Sequence, residues 1–270
     1  MKIPLSYYGG KQQLAKTILA LIPEHRLYCE PFLGETAIFF AKEPSKVEVI
    51  NDTNGEITNF YEVLQRDFTS LEKEIKISLH SRKLHSDAWV IYNHPDLFTQ
   101  IKRAWAVWML TNSSYGHMID GGFGYDKSTC GTTKKLKNKR IAFTEDYAIR
   151  LQNAQIECCD ALRVIRSRDT VESFFYCDPP YVGADQGHYD GYTQEDFDGL
   201  LQCLEEIKGN FLLSSYRNKS LTEAVTRNGW HTFEVKMNCA MTNRYGKGKS
   251  KVEVLTANYP ISKEGLRQNY

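Results

Sequence analysis

The stretch Ser-Phe-Phe-Tyr-Cys-Asp-Pro-Pro-Tyr at residues 173–181 decides the fold class. Its first part, 173–177, is a short apolar run typical of a buried strand, and Asp178 follows directly. Open α/β sheets bind their ligands at the carboxyl ends of the strands, so this carboxylate is placed for function. Pro179 and Pro180 fix their own φ angles and stiffen the turn. The stretch predicts an α/β fold with a functional turn after one buried strand.

Other short apolar runs alternate with amphipathic stretches on both sides of this turn, which is the pattern of β-α-β units. Strands are predicted at residues 27–30, 47–50, 156–159, 173–177, 211–214, 232–237 and 252–256. Helices are predicted at 14–22, 36–42, 56–65, 71–79 and 100–110. The β-α-β rhythm stops between 69 and 140. We therefore predict a catalytic domain formed by 1–68 and 141–270, with an inserted lobe at 69–140.

The composition is that of a globular protein in a reducing compartment. The chain has 270 residues, of which 41% are hydrophobic and 25% charged. Its seven cysteines include no Cys-x-x-Cys pair, which indicates reduced thiols. No apolar run suggests a signal peptide or a membrane span, so we expect a cytoplasmic protein. The seven histidines show no metal-ligand spacing, and no metal is expected.

The turn after the central strand has groups suited to an exocyclic amine on a flat base. Asp178 and the carbonyl of Pro180 can each accept one N–H hydrogen bond, and the ring of Tyr181 can stack. Such an amine is a poor nucleophile because its lone pair is delocalised into the ring. Two acceptors would favour a more tetrahedral nitrogen, so catalysis would rest on positioning and electrostatics. A purely structural turn, with Asp178 as a helix cap, stays open.

Three shorter motifs indicate a nucleotide cofactor. Asp52 follows the second predicted strand, where a carboxylate commonly holds ribose hydroxyls. Gly34 ends a turn after the first strand and permits close approach of the backbone to a ligand. Lys11, which follows Gly9 and Gly10, can bring a cation near a carboxylate. Taken alone, each motif also fits an ordinary turn or a terminal tail.

In this order, the motifs resemble the Dam-like (D12 class) N6-adenine DNA methyltransferases of the α group. The matching strings, which cover nearly the whole chain, are YYGGKQQLAKTILALIP, YCEPFLGETAIFF, VINDTNGEITNFYEVLQ, IECCDALRVI, FFYCDPPYVGADQGHYDGYTQEDF, FLLSSYRN and NRYGKGKSKVEVLTANY. The resemblance implies an S-adenosylmethionine-dependent, Rossmann-like α/β fold. Its mostly parallel seven-stranded sheet would carry an inserted, mainly helical DNA-recognition lobe.

The resemblance also implies an activity and a set of site residues. The enzyme would transfer a methyl group from S-adenosylmethionine to an adenine flipped out of duplex DNA. Asp178, Pro179, Pro180 and Tyr181 would form the catalytic turn. The residues assigned to the cofactor are Tyr8, Lys11, Glu30, Pro31, Phe32, Gly34, Asp52, Asp160, Ala161 and Asp178. A monomer is expected in a bacterial, archaeal or phage-infected cell, and a cognate restriction endonuclease could accompany it.

The predicted DNA contacts lie mostly in the insertion. They are Asn112, Ser113, Tyr115, His117, Lys134, Lys135, Lys137, Lys139, Arg140 and Arg244. The basic run beside serine and threonine hydroxyls suits phosphate contacts from a flexible loop. Asn112 and Ser113 could read base edges, whereas Tyr115 and His117 fit either DNA stacking or the core of the lobe.

Three tryptophans are assigned to the protein core rather than to DNA. They are Trp89, Trp105 and Trp108. The last two have helical spacing, which indicates one buried helix face.

Two departures from the family pattern shape the remaining expectations. Glu35 stands where many members have a small residue, and it would either point to solvent or weaken cofactor binding. The stretch 111–120 lacks the arginine with which GATC-specific members read guanine, so we expect a target other than GATC.

Several other functions stay open at this stage. Adenine-N6 methylation of RNA, cytosine-N4 methylation of DNA and a catalytically inactive DNA-binding relative are the main alternatives. A small-molecule or protein methyltransferase is a further one, although glutamine-modifying relatives usually have asparagine where Asp178 stands.

Overall fold

The computed structural model describes residues 1, 3–7, 10–182, 192–242 and 248–261, with side chains except at 237–242 and 248–251. Tyr8 and Arg244, two of the predicted site residues, lie outside the described residues.

Seven strands lie within the described ranges. They are β1 (Leu27–Glu30), β2 (Val47–Asn51), β3 (Ala154–Glu157), β4 (Ser173–Cys177), β5 (Asn210–Ser215), β6 (His231–Thr242) and β7 (Gly248–Ala257). The sheet has the order β3-β2-β1-β4-β5-β7-β6. β1 pairs with β4, β2 with β3 and β4 with β5 in parallel, while β7 is antiparallel to both β5 and β6. The predicted mostly parallel seven-stranded α/β sheet is confirmed.

Helices occupy most of the remaining described chain. They are α1 (Ala15–Leu21), α2 (Ala37–Ala41), α3 (Gly55–Arg66), α4 (Phe68–Ile77), α5 (Arg82–Asn93), α6 (Gln100–Ser113), α7 (Gly131–Ile141), α8 (Asp146–Leu151), α9 (Ala161–Arg168), α10 (Gln194–Glu206) and α11 (Lys219–Asn228). The predicted helices correspond to α1, α2, α3, α4 and α6, with ends that differ by a few residues.

The chain divides into two compact units, which we describe separately. The first unit comprises Met1–Lys16 and Leu33–Asp160, and the second comprises Thr17–Phe32 and Ala161–Tyr270. The first unit contains β2 and β3 together with the whole segment 69–140, whereas the second contains the other strands.

Helix α6 forms the core of the helical part of the first unit. Its residues from Ala104 to Thr111 are all buried, and α3, α4 and α5 pack against it. A helix that is apolar on all sides needs such neighbours. Trp105 and Trp108 lie in this core as predicted, and the Trp105 indole N–H donates to Ser78 Oγ at 2.7 Å. The core prediction for Trp89 is wrong: this side chain is 46% exposed on α5.

A buried ion cluster connects β2 with α8 inside the first unit. Glu48 is buried on β2, with Lys42 Nζ 2.6 Å from its Oε1. The Arg150 guanidinium donates to the same oxygen at 2.9 Å. Burial raises the pKa of Glu48, but hydrogen bonds from Arg150 and Lys42 outweigh it and hold the pKa below its ordinary value. The carboxylate is therefore ionised and fully engaged.

Strand β4 positions the predicted catalytic turn in the second unit. Every residue of β4 is buried, as expected for a parallel strand covered on both faces.

Helix α10 begins with a capping box, in which Thr193 N–H donates to Asp196 Oδ2 at 2.7 Å and Asp196 N–H to Thr193 Oγ1 at 3.2 Å.

Two local predictions are corrected. The strand predicted at 156–159 is shifted to Ala154–Glu157, because the Asn51 side chain bonds both the N–H and the carbonyl of Cys159 at 3.0 Å. The basic run forms helix α7 rather than a flexible loop, since lysine and arginine are good helix formers. Asp126 also accepts the backbone N–H of Thr132 at 2.6 Å in the first turn.

Candidate active site

The predicted catalytic turn belongs to a hydrogen-bond network in the second unit. Asp178 follows the last residue of β4, and the hydroxyl of Tyr181 lies 3.1 Å from its Oδ1. The same hydroxyl donates to Oε1 of Glu253, a buried residue on β7. Ser214 on β5 donates to that oxygen at 2.8 Å. The structure therefore brings Asp178 and Tyr181 together, as predicted, and adds Glu253 and Ser214.

The Tyr181 side chain is held at both its ring and its hydroxyl. The ring lies edge-on to Tyr216, with centroids 4.4 Å apart and an interplanar angle of 66°. Burial, together with the charges of Asp178 and Glu253, raises the pKa of Tyr181 well above its ordinary value, so the phenol stays protonated. A phenol has one proton to donate, and the contact with Glu253 is the shorter one. Asp178 therefore need not accept that proton.

Sequence reasoning did not predict Glu253, although a signal was present. Glu253 lies in an apolar stretch of β7, between Val252, which is exposed, and the buried residues Val254 and Leu255. A carboxylate in such a run requires a polar partner inside the fold. That requirement marks the position but does not identify Tyr181 as the partner.

Besides Asp178, four predicted cofactor residues lie in the second unit. Glu30 ends β1, is buried, and accepts a 2.6 Å hydrogen bond from the Tyr28 hydroxyl. Pro31 is buried and Phe32 is half-buried, with its ring 6.3 Å from that of Tyr192. Ala161 is buried at the first position of α9.

The predicted glycine turn and Asp52 come together in the first unit. The Gly34 N–H donates to Asp52 Oδ2 at 3.1 Å, and the Asn54 N–H donates to Oδ1 at 2.9 Å. Gly34 has φ 48°, a left-handed value that favours glycine. The Leu33 N–H donates to the Asn51 carbonyl at 2.8 Å and ties the turn to the end of β2. Asp52 thus has a structural role in holding this turn.

Asp52 also keeps capacity for a ligand. A carboxylate offers about four lone-pair positions, and the Asp52 oxygens accept the backbone N–H groups of Gly34, Asn54 and Thr53. A Cβ at Gly34 would meet no atom within 4 Å, so there is open space beside the turn. Burial raises the pKa of Asp52, opposed by the backbone hydrogen bonds of Asn54 and Gly34. Asp160, the other carboxylate predicted to bind the cofactor in this unit, is exposed after β3.

Glu35 does not point to solvent, which corrects one of the two expectations for this residue. Its side chain is 6% exposed, and Gln12 Nε2 donates to its Oε2 at 3.5 Å. Oε1 is buried and has no hydrogen-bond partner among the described residues. Burial raises the pKa of Glu35 to about 7, against hydrogen bonds from Gln12 and Tyr7 and the charges of Lys139 and Lys11. Lys11 is itself buried in the same unit.

Some of the described residues predicted to contact DNA are exposed, whereas others have hydrogen-bond partners within the fold. Lys134, Lys135 and Lys137 are exposed on α7, opposite its buried Leu136, and we call these three lysines the basic face. Lys139 donates to the carbonyls of Ile3 at 3.1 Å and Leu5 at 3.5 Å. Its contact with DNA stays a prediction, but Lys139 has a clear role within the fold.

Arg140, Asn112 and Ser113 likewise have partners within the fold. Arg140 donates to the Ser78 carbonyl at 2.5 Å. Asn112 accepts from Ser6 Oγ at 3.1 Å, and Ser113 Oγ donates to the Met109 carbonyl at 2.6 Å. These contacts occupy groups that base reading would need.

An aromatic cluster lies beside the end of α6. Tyr115 is 64% exposed, whereas His117 is half-buried with Nδ1 3.0 Å from the Thr111 carbonyl. Burial lowers the pKa of His117 despite that backbone hydrogen bond. The Arg82 guanidinium, which sequence reasoning did not single out, lies 5.0 Å from the Phe123 ring centroid and 5.3 Å from that of Tyr125. Tyr115 is therefore accessible, and His117 packs into the lobe.

Two absences hold for the part of the chain that the structure describes. There, no group of three or more His, Cys, Asp or Glu side chains is arranged to hold a metal ion. In the same part of the chain, no helix has the length and apolar character needed to cross a membrane.

The mostly parallel seven-stranded sheet, with Asp178 directly after its central strand β4, is that of a Rossmann-like α/β protein. A family model described as D12 class N6 adenine-specific DNA methyltransferase matches residues 7–239. The chain belongs to this family, and it is a DNA adenine-N6 methyltransferase.

Individual relatives agree with this family. The type II methyltransferase M1.LlaDCHI of Lactococcus lactis subsp. cremoris is 24% identical over 93% of each chain. A DNA adenine methylase of Vibrio cholerae serotype O1 is 26% identical over 94% of each chain. Among solved structures, precorrin-6y C5,15-methyltransferase from Geobacter metallireducens GS-15 has a TM-score of 0.38 and 9% identity, covering 91% of this chain and 86% of that one.

Proposed function

We propose that this enzyme uses S-adenosylmethionine to methylate N6 of an adenine flipped out of duplex DNA, with Asp178–Tyr181 as the catalytic turn. The observation that carries the proposal is the network at the end of β4. In it, Glu253 and Tyr216 hold Tyr181 beside Asp178. Base flipping is needed because a paired N6 inside the stack cannot reach a methyl donor in line.

The turn acts by positioning and electrostatics. Asp178 and the Pro180 carbonyl each accept one N–H of the adenine amine, which favours a tetrahedral nitrogen with its lone pair exposed. The Asp178 carboxylate stabilises the positive charge that develops on nitrogen and is placed to take up its proton. Pro179 stiffens the turn, and the Tyr181 ring stacks on the base.

The residues of the first unit fit a nucleoside cofactor. Asp52 keeps about one lone-pair position for a ribose hydroxyl, and the space beside Gly34 admits a ligand. S-adenosylmethionine, when bound, supplies an electrophilic methyl group on its sulfonium. We assign Glu30, Phe32 and Gly34 to its methionine side, with Pro31 in the same turn. Lys11 would approach the cofactor from the N-terminal residues. Tyr8, Asp160 and Ala161 complete the proposed set.

We assign DNA recognition to residues 69–140, inserted between catalytic segments 1–68 and 141–270. The basic face would contact phosphates, with Lys139, Arg140 and Arg244 as further cations. Tyr115 is accessible for stacking, and His117, Asn112 and Ser113 lie beside it in the chain. We further propose that the enzyme is a monomer and that a restriction endonuclease accompanies it.

The target sequence is a separate part of the proposal. Because 111–120 contains no arginine, we propose a recognition site other than GATC. Plasmid exposed to the enzyme should still be cut by a methylation-sensitive nuclease that cleaves GATC. Protection of those sites would refute this part alone.

Methyl transfer from radiolabelled S-adenosylmethionine to unmethylated duplex DNA, followed by nucleoside digestion, tests the reaction. The wild type should form N6-methyladenine, and Asp178→Ala should not. Asp198→Ala, an exposed aspartate on α10, is the matched control and should remain active. Label in RNA or in N4-methylcytosine would move the assignment to those alternatives. Cofactor binding without transfer would favour a binding-only relative.

A further inference from the structure

The carboxyl group of Glu35 packs directly on the backbone of Gly10. A Cβ built at Gly10 would lie 2.1 Å from Glu35 Oε1 and 2.2 Å from its Cδ. The carboxyl therefore occupies the place that a side chain at position 10 would take. Glycine is needed here for close approach rather than for its own φ angle.

The same carboxyl contacts the residues on both sides of Gly10. Gln12 Nε2 donates to it at 3.5 Å, and the Tyr7 backbone N–H donates to it as well. Lys11, which lies between these contacts and is buried, acts on Glu35 through its charge. One carboxyl thus fastens the described residues of 7–12 to the glycine turn.

The preceding residues are fastened by the helical part of the first unit. Lys139 on α7 donates to the Ile3 and Leu5 carbonyls, and Ser6 donates to Asn112 on α6. We call residues 3–12, as far as they are described, the N-terminal segment. Its later half is held by the Glu35 carboxyl, which accepts from Gln12 and from the Tyr7 backbone.

We propose that Glu35 is a positioning residue that fastens the N-terminal segment to the glycine turn and so places Lys11 for cofactor binding. The proposal rests on the proposed use of S-adenosylmethionine. It assigns Glu35 no contact with the reacting atoms. An ionised carboxylate attracts Lys11 and accepts N–H groups more strongly than a neutral one.

The contact is expected to respond to pH near neutrality. The charged groups acting on Glu35 are Lys11 in the N-terminal segment and Lys139 on α7. Since burial brings the pKa of Glu35 to about 7, the carboxyl gains a proton as the pH falls through that value. Cofactor affinity should therefore be higher on the alkaline side.

Calorimetric titration with S-adenosylmethionine at about pH 6 and about pH 8 tests the proposal. Glu35→Gln should raise Kd about tenfold at the higher pH and much less at the lower pH, where the wild type is itself neutral. Glu43→Gln, an exposed glutamate near the end of α2, is the matched control and should match the wild type at both. Equal Kd values for wild type and Glu35→Gln at the higher pH would overturn the proposal.

Gly10→Ala provides a second arm, because its Cβ would displace the carboxyl without removing it. The substitution should weaken binding by a similar factor. The double variant Gly10→Ala with Glu35→Gln should have a Kd no higher than that of the single variant that binds more weakly, since both substitutions break the same contact. Additive losses would show two independent effects and would also overturn the proposal.

Amide hydrogen exchange without cofactor separates this proposal from the proposed function. Glu35→Gln should speed exchange of residues 3–7 and 10–12 through local opening at about pH 8, although it makes global unfolding rarer, and Glu43→Gln should not speed it. A wild type that binds no S-adenosylmethionine would refute the cofactor assignment. Unchanged exchange in Glu35→Gln would refute the role of Glu35, whatever the cofactor.

Discussion

Replacing Glu35 by glutamine should make the protein more stable at alkaline pH while weakening its cofactor site. Glu35 is 6% exposed, and burial raises its pKa from an ordinary 4.5 to about 7. The folded protein therefore holds this proton more tightly than the unfolded chain does. The contribution of Glu35 to the free energy of unfolding is highest below about pH 4.5, falls as the pH rises to about 7, and is constant above about pH 7.

The size of the effect follows from the two pKa values. A difference of about 2.5 between 4.5 and 7, at about 1.36 kcal/mol per pKa unit, corresponds to about 3 kcal/mol. Glutamine keeps the shape of the side chain but cannot ionise, and its amide oxygen accepts N–H groups less strongly than a carboxylate does. Glu35→Gln should thus match the wild type near about pH 4.5 and exceed its free energy of unfolding by about 3 kcal/mol at about pH 8.

Urea unfolding at a series of pH values, with Glu43→Gln as the control, measures this difference. The wild-type and Glu43→Gln curves should fall together, while the Glu35→Gln curve separates from them as the pH rises. Parallel wild-type and Glu35→Gln curves would refute the reasoning. The combination of higher stability with lower cofactor affinity is a trade-off common at functional sites.

Three other perturbations test other parts of the structure. Replacing the three lysines of the basic face by glutamine should reduce the magnitude of the slope of log DNA affinity against log salt by about 2.7, at about 0.9 per phosphate contact. Lys219→Gln, at an exposed lysine, should leave the slope unchanged. An unaltered slope in the basic-face variant would exclude these phosphate contacts. Tyr181→Phe should reduce kcat about tenfold, because it removes the hydrogen bond to Glu253, and should change the cofactor Kd little. An unchanged kcat in this variant would show that the hydroxyl has no positioning role. Glu48→Gln should lower the free energy of unfolding by about 3–5 kcal/mol, because it leaves buried Lys42 and Arg150 without their carboxylate. A loss below about 1 kcal/mol, measured by urea unfolding, would contradict that account.

The class of fold and the positions of its predicted functional turns follow from the amino-acid sequence alone. An apolar run is buried whatever its neighbours are, and proline restricts its own φ angle, so β4 and the turn at Asp178 follow from local rules. The same holds for the Gly34 turn and Asp52, where a glycine and a carboxylate each follow a strand. Their order along the chain then indicated the methyltransferase family.

Contacts between distant segments were decided only by the tertiary structure. Nothing near Glu35 in the chain shows that its carboxyl packs on Gly10, and nothing near Tyr181 shows that it donates to Glu253. The exposed position of Trp89 likewise depends on which side of α5 meets α6. Periodicity indicates that a helix has a buried face, but the packing partner decides which residues occupy it. A buried carboxylate requires a partner, but only the assembled fold determines which residue meets that requirement.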